Sequence, residues 1–303
     1  MSLELAIQTM AGWATSLELA RWAEAEEMAA FAVADHYLST PHNRYALDQM
    51  GVLAAVAAKT SSIELATLVS PITFRHPAVM LKMAVTIDEI SEGRFTLGLG
   101  AGWMKEEHEA FGLDFPSTRE RFERLEEALA YVDTARRGDG GGFAGDYYRL
   151  APGPPPEPSA ARVRIAVGGS GPRRTPRLAG RYADEFNVFP SRDPIEARIA
   201  VAREAAEKAG RDPAELLIST AFPMVTGTDP ADLENRIQRV ATARRADADR
   251  IRTRWPQAGI PVATVDEYRD HMAQLEAIGI QRVYLQVAFD PVADIQRLLP
   301  LLR

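Results

Sequence analysis

The chain has 303 residues, a formal net charge of −7 and no cysteine, and 46% of its residues are hydrophobic. This composition is typical of a globular protein, and it excludes disulfides, thiolate metal sites and a cysteine nucleophile. The sequence has neither an apolar run of membrane-spanning length nor the start of a secretory signal, so we expect a cytoplasmic protein without a membrane partner. The acidic balance argues against a nucleic-acid partner.

The first half of the chain alternates strand-like apolar runs with stretches of helical periodicity. The strands are expected at 5–10, 31–34, 63–69 and 94–100. The helices are expected at 17–29, 45–59, 77–90 and 118–136. Strands that alternate with helices over short connections predict a parallel sheet with right-handed crossovers.

Residues 138–161 interrupt this alternation with a run rich in Gly and Pro, which cannot be regular structure throughout. Four more strands are then expected, at 163–167, 183–189, 216–225 and 282–287. Helices are expected at 175–181, 193–209, 229–255, 265–278 and 292–302. Eight such units predict one α/β domain over 1–303, a closed (β/α)8 TIM barrel with 138–161 as a surface insertion after the fourth unit. An open, doubly wound sheet is the alternative.

The ligand site of such a barrel lies at the carboxyl ends of its strands. Asp35-His36 ends the second predicted strand, so the imidazole is expected at the barrel mouth, oriented by a carboxylate and able to transfer a proton near neutral pH. A helix-capping Asp35 beside a partly buried His36 is the alternative. A metal site from His36 and His42 is not favoured, because their spacing within a loop specifies no metal geometry.

Residues 97–103 read LGLGAGW, with glycines at 98, 100 and 102 directly before Trp103. Glycine weakens a strand unless a ligand or another backbone comes close, so this stretch indicates a flat ligand lying against the main chain. A plain bulge or turn is the alternative. Trp103 is expected either as an aromatic wall for an apolar or planar substrate, or as a core residue under the next helix.

The fifth predicted strand runs into GGSGPRRT (168–175), which opens a helix. Free backbone N–H groups at a helix N-terminus form an anion site, to which Ser170 and Thr175 add hydroxyl donors and Arg173 and Arg174 add charge. This loop predicts a phosphate site, and a tight turn is the alternative.

Six segments in this order carry a family resemblance: 34–36, 67–112, 118–129, 165–175, 178–187 and 209–216. They resemble the luciferase-like monooxygenase family of flavin- and deazaflavin-dependent oxidoreductases, most closely the branch that uses coenzyme F420. The resemblance implies hydride transfer between coenzyme F420 and a small organic substrate, with His36 near the reactive edge of the cofactor ring and Asp35 beside it. It also implies a non-proline cis peptide near Leu68-Val69 that supports the ring.

The remaining site residues follow from the same resemblance. The cofactor is expected to contact Leu68, Val69, Gly100, Ala101, Gly102, Gly168, Gly169, Ser170, Gly171, Arg173 and Thr175. Trp103 and Tyr37 are expected at the substrate, and no metal is expected. Trp103 stands where the glucose-6-phosphate dehydrogenases of the family carry a glutamate, which disfavours sugar-phosphate oxidation.

Three other functions remain open at this point. The chain could be a monooxygenase that uses flavin mononucleotide (FMN), or a flavin- or deazaflavin-binding barrel without catalysis. It could also be a sugar-phosphate isomerase or aldolase, although all four lysines fall on predicted helices or loops rather than at strand ends. We expect a small-molecule substrate and a homodimer.

Overall fold

A closed barrel of eight parallel strands organises the chain. The computed structural model describes residues 3–38, 46–153, 163–287 and 290–302, and the strands lie within those ranges. We number the barrel strands β1 Glu4–Thr9, β2 Ala30–Val33, β3 Glu64–Thr67, β4 Phe95–Gly100, β5 Arg164–Gly169, β6 Glu185–Val188, β7 Leu217–Pro223 and β8 Arg282–Gln286. Each strand pairs in parallel with its neighbours, and the β1–β8 pairing closes the ring. The expected (β/α)8 barrel is confirmed.

Helices cover the outer face of the barrel. Those in the described ranges are α1 Trp13–Ala25, α2 Gln49–Ala57, α3 Pro77–Ile90, α4 Lys105–Phe111, α5 Thr118–Arg137, α6 Arg174–Tyr182, α7 Ile195–Lys208, α8 Pro230–Arg244, α9 Ala248–Gln257, α10 Val265–Ala277 and α11 Val292–Leu298, followed by a 3₁₀ turn, Leu299–Leu302. The inward faces of α1–α3, α5–α7, α10 and α11 join the outward side chains of the strands in one apolar core. Helices α8 and α9 pack together with Val225 in a separate, smaller cluster. None of these helices combines the length and hydropathy that a membrane crossing requires.

The single helix expected over 229–255 is wrong, because two helices occupy that stretch. Arg245 has φ +49 at the end of α8, and the Asp247 side chain accepts a hydrogen bond from the N–H of Asp249 to begin α9. The left-handed residue turns the chain, and the aspartate supplies a new N-terminal cap. Helix α4 was not expected from the sequence.

The stretch 138–161 is only partly described. Phe143–Ala144 and Arg149–Leu150 form a small antiparallel hairpin, and the Glu127 carboxylate of α5 accepts hydrogen bonds from three of its backbone N–H groups. Residues 154–162 lie outside the described ranges, as does the start of the helix expected at 45–59.

A second small sheet pairs Val225–Gly227 with Val262–Thr264.

Charged side chains close the amino-terminal end of the barrel. Arg282 donates hydrogen bonds of 2.7 Å to both Glu4 and Glu64, and its guanidinium lies 4.0 Å from Glu185. Burial raises the pKa of Glu185, and the nearby Arg282 guanidinium opposes that rise. A buried cation among carboxylates is stabilising mainly because its loss would leave those charges uncompensated.

We therefore expect Arg282→Met to lower the free energy of unfolding by about 3–5 kcal/mol. The matched control is Arg297→Met, which breaks a surface pair with Asp232 and should cost less than about 1 kcal/mol. Urea denaturation of both variants measures the difference. Equal losses in the two variants would show that the amino-terminal charges are not a stability element.

Candidate active site

A cavity of about 720 Å³ opens at the carboxyl ends of the strands. The barrel interior beneath it is filled mainly by small side chains: Ala6, Ala30, Ala32, Ala66, Ala166 and Ala221 cluster there with Leu68 and Tyr284. Bulky branched residues usually fill such an interior. The six alanines do not line the cavity, and of this cluster's buried residues only Leu68 does.

Most of the expected site residues line this one cavity. They are His36, Leu68, Val69, Gly100, Ala101, Gly102, Trp103, Gly168, Gly169, Ser170, Gly171 and Thr175. Trp103 is 67% exposed, so it is a rim residue and not a core residue. Its ring meets that of His36 edge to face, with 5.7 Å between centroids.

Val69 explains the spacing of the glycines in the strands around it. The peptide bond between Leu68 and Val69 is cis, as expected. A Cβ added at Gly100 would lie 2.6 Å from a Val69 methyl carbon, and one added at Gly168 would lie 2.8 Å from the other. At Gly98 an added Cβ would lie 2.0 Å from the carbonyl oxygen of Thr67. The glycines therefore first of all make room for Thr67 and Val69, at the end of β3 and just after it.

His36 is held by a carboxylate that the sequence analysis did not single out. Its Nδ1 lies 3.0 and 3.1 Å from the two carboxylate oxygens of Glu107, the third residue of α4. Glu107 is completely buried and also accepts a 3.1 Å hydrogen bond from the N–H of Tyr37. A carboxylate can only accept, so Nδ1 carries the proton and Nε2 is the nitrogen left for a ligand.

The orienting role expected for Asp35 is wrong. Its carboxylate points away from His36 and accepts hydrogen bonds from the Ser70 hydroxyl at 2.7 Å and from Arg75 at 2.5 Å. Arg75 also pairs with Asp48, which caps α2, and these carboxylates raise the pKa of the Arg75 guanidinium against the effect of burial. Asp35 fixes the loop that carries His36 and does not line the cavity.

Two further expected residues also lie outside the cavity lining. The Tyr37 ring stacks on Phe74, with 4.2 Å between centroids, and does not line the cavity. Arg173 is the exposed residue that precedes α6, and its side chain does not reach the lining. His42 lies outside the described residues.

Polar side chains that the sequence did not reveal form part of the cavity floor. Gln286 donates a 2.6 Å hydrogen bond to the side-chain oxygen of Gln8, whose amide donates in turn to the carbonyl of Leu68. Gln8, the next-to-last residue of β1, is in register with Gln286, the last residue of β8. Because they come from opposite ends of the chain, no local motif could have indicated them.

The fold and the cavity together define a class, the (β/α)8 barrels that bind a small ligand at the carboxyl ends of their strands. Residues 3–282 match the family described as luciferase-like monooxygenase. The chain belongs to that family.

Curated relatives include proteins named F420-dependent glucose-6-phosphate dehydrogenase. The protein from Nakamurella multipartita is 34% identical over 64% of this chain, and the match spans 58% of that protein. The protein from Kineococcus radiotolerans is 29% identical over 82% of this chain and 81% of its own length.

Among solved structures, monooxygenase RslO1 from Streptomyces bottropensis superposes with a TM-score of 0.82 at 23% identity, over 99% of this chain and 97% of its own. An F420-dependent secondary alcohol dehydrogenase in complex with an F420-acetone adduct superposes with a TM-score of 0.79 at 19% identity, over the whole of both chains. At these identities the likeness shows a shared fold.

The packing around Val69 predicts that β4 cannot accept a side chain at position 98. Gly98→Ala would force its Cβ against the Thr67 carbonyl, so we expect a loss of about 1–3 kcal/mol in the free energy of unfolding. Gly51→Ala in α2 is the control, since its Cβ would meet only Asp48 at 3.6 Å. Because alanine has the better helix propensity, this variant should raise the free energy of unfolding by at most about 1 kcal/mol. Thermal and urea melts compare them. A neutral Gly98→Ala would refute the steric requirement.

Proposed function

We propose that this chain is an oxidoreductase that transfers a hydride between coenzyme F420 and a small organic substrate. One observation carries the proposal: a single cavity joins a glycine-rich helix N-terminus to a histidine held by a buried carboxylate. The relatives whose names specify coenzyme F420 align with up to 84% of this chain and support the choice of cofactor.

The residues present suit a flat ring with a phosphate-bearing tail. Val69, Gly100 and Gly168 form a side of the cavity in which glycines leave the main chain bare. Gly169, Ser170 and Gly171 precede α6, and Thr175 in its first turn also faces the cavity. Backbone N–H groups and hydroxyls at a helix N-terminus favour a phosphate.

When bound, coenzyme F420 supplies hydride transfer at one carbon of its ring. This chain's own contribution is to hold the reactants and move a proton. With Nδ1 of His36 bound to Glu107, its Nε2 can take a proton from a substrate hydroxyl or return one to a substrate carbonyl. The buried Glu107 carboxylate stabilises the imidazolium that forms when His36 takes that proton.

The substrate is proposed to be apolar or planar. Trp103 lines the rim beside His36, and Phe189, Trp255 and Ile260 add further apolar surface to the cavity. Such a lining binds organic molecules with few polar groups. A sugar phosphate is not proposed, because Trp103 stands where the family's glucose-6-phosphate dehydrogenases carry a glutamate.

The alternative from the same family is an FMN-dependent monooxygenase. Solved structures with this fold include the oxygenating constituent of 3,6-diketocamphane monooxygenase in complex with FMN, at 18% identity and a TM-score of 0.72. A cofactor-binding barrel without catalysis is the third possibility. A single barrel domain over 1–303, the homodimer and the cytoplasmic location stay predictions.

Cofactor titration tests the proposal first. Apo-protein titrated with coenzyme F420 and with FMN, followed by cofactor fluorescence, should bind coenzyme F420 at least about tenfold more tightly. Ser170→Asp should lower that affinity at least about tenfold relative to Ser170→Asn, because only the aspartate adds a charge that repels the phosphate. Tighter binding of FMN would favour the monooxygenase. Equal affinities of the two variants for coenzyme F420 would show that this loop does not bind the phosphate.

Turnover tests the role of His36. Secondary alcohols with oxidised coenzyme F420, and cyclic enones with the reduced cofactor, form the substrate panel. On the best substrate, His36→Ala should lower kcat about 10²–10⁴-fold, and Glu107→Gln should cause a smaller loss. Cofactor affinity should stay within about threefold of the parent in both variants. His76→Asn is the control, since His76 caps α3 outside the cavity lining.

Unchanged turnover in His36→Ala would leave His36 a structural residue. Tight cofactor binding without turnover of any panel member would favour the non-catalytic barrel.

A further inference from the structure

Arg121 is a buried cation without a carboxylate partner in the described part of the chain. Only 8% of the residue is exposed, and it lines the cavity. Its guanidinium donates to the carbonyl of Pro116 at 2.6 Å and to the hydroxyl of Thr118 at 3.2 Å. The Phe115 ring lies 4.0 Å from the guanidinium carbon, and the Nε–H is left without an acceptor.

A ligand that accepts a hydrogen bond from the Nε–H would complete this arrangement. A guanidinium has five N–H donors, and a buried charge is costly when no opposite charge lies nearby. Burial lowers the pKa of Arg121, and no carboxylate opposes that effect. The similarly buried Arg236 pairs with Asp290 and Arg282 with Glu64. Arg198, which has no such pair within the described ranges, donates to three backbone carbonyls, one of them from its Nε–H. Within the same ranges, Arg121 has neither a carboxylate nor an acceptor for its Nε–H.

The position of Arg121 indicates which ligand group would complete it. Arg121 lies in the first turn of α5, whose start packs against the start of α6: the Arg174 guanidinium lies 5.6 Å from the centre of the Phe122 ring and 3.5 Å from the carbonyl oxygen of Arg119. Thr118 and Phe122 line the cavity together with Thr175 and the glycine-rich loop. Two helix N-termini and one buried guanidinium therefore meet at one side of the cavity.

We propose that Arg121 is the cationic receptor for the phosphate of the bound cofactor. The inference rests on the proposed function and adds a residue to it. The Nε–H and the free Nη–H groups of a guanidinium form a planar fork that matches two phosphate oxygens. Arg121 takes the place that the sequence analysis gave to Arg173, whose side chain is in solvent.

The test compares two ligands that differ only in the phosphate-bearing tail. One is coenzyme F420, and the other is 7,8-didemethyl-8-hydroxy-5-deazariboflavin, which is the same ring and ribityl chain without that tail. The ratio of their Kd values, measured by fluorescence titration without substrate, reports the contacts of the whole tail, in which the phosphate is the group bonded directly to the ribityl chain. Arg121→Met should weaken binding of coenzyme F420 about 10–100-fold and leave that of the tail-less compound unchanged. Arg121→Lys, which keeps the positive charge, should bring the Kd ratio part of the way back from that of Arg121→Met to that of the parent protein.

Arg124→Met is the matched control. Arg124 lies one turn further along α5, pairs with Glu120 and does not line the cavity, so its loss removes the same charge without touching the site. Because the Kd ratio is measured within one preparation, any destabilisation of Arg121→Met affects both ligands alike.

The outcomes separate the inference from the function on which it rests. A parent protein that binds neither ligand would refute both. A parent that binds coenzyme F420, with an unchanged Kd ratio in Arg121→Met or the same change in Arg124→Met, would refute the role of Arg121 alone.

Discussion

Space inside the upper barrel is the constraint on which the rest of the site depends. Thr67 and Val69, at the end of β3 and just after it, pack against β4 and β5, and those strands can pass them only because they carry glycine at positions 98, 100 and 168. At Gly100 and Gly168 the missing side chains also leave bare main chain along one side of the cavity. These two glycines therefore meet a packing requirement and shape the cavity wall at once.

Two buried carboxylates near the barrel mouth have separate tasks. Asp35 is bound by Ser70 and Arg75 and holds the loop after β2 in place. Glu107 reaches across from α4 to hold the imidazole of His36. Asp35 therefore fixes the position of the loop, and Glu107 fixes the orientation of the imidazole that the loop carries.

The fold could be predicted from the sequence because its signals are local. Each buried strand shows as a short apolar run, and α3, which begins at Pro77, was expected within the bounds observed. The break between α8 and α9 was missed because it depends on one left-handed residue, Arg245, inside a continuous helical pattern. The site was predicted only where its residues follow strands in sequence. The contact between His36 and Glu107 joins residues 71 positions apart, and local reading assigned that role to the adjacent Asp35.

The charges around Arg282 and the aromatic rim at Trp103 lie at opposite ends of the same barrel. Side chains that pair across the closed ring are thus physically remote from those that line the cavity. A rim residue as exposed as Trp103, 67% open to solvent, has few packing contacts to lose. Trp103 can therefore be replaced with little cost in folding, so the shape of the cavity entrance and the stability of the barrel can be changed separately.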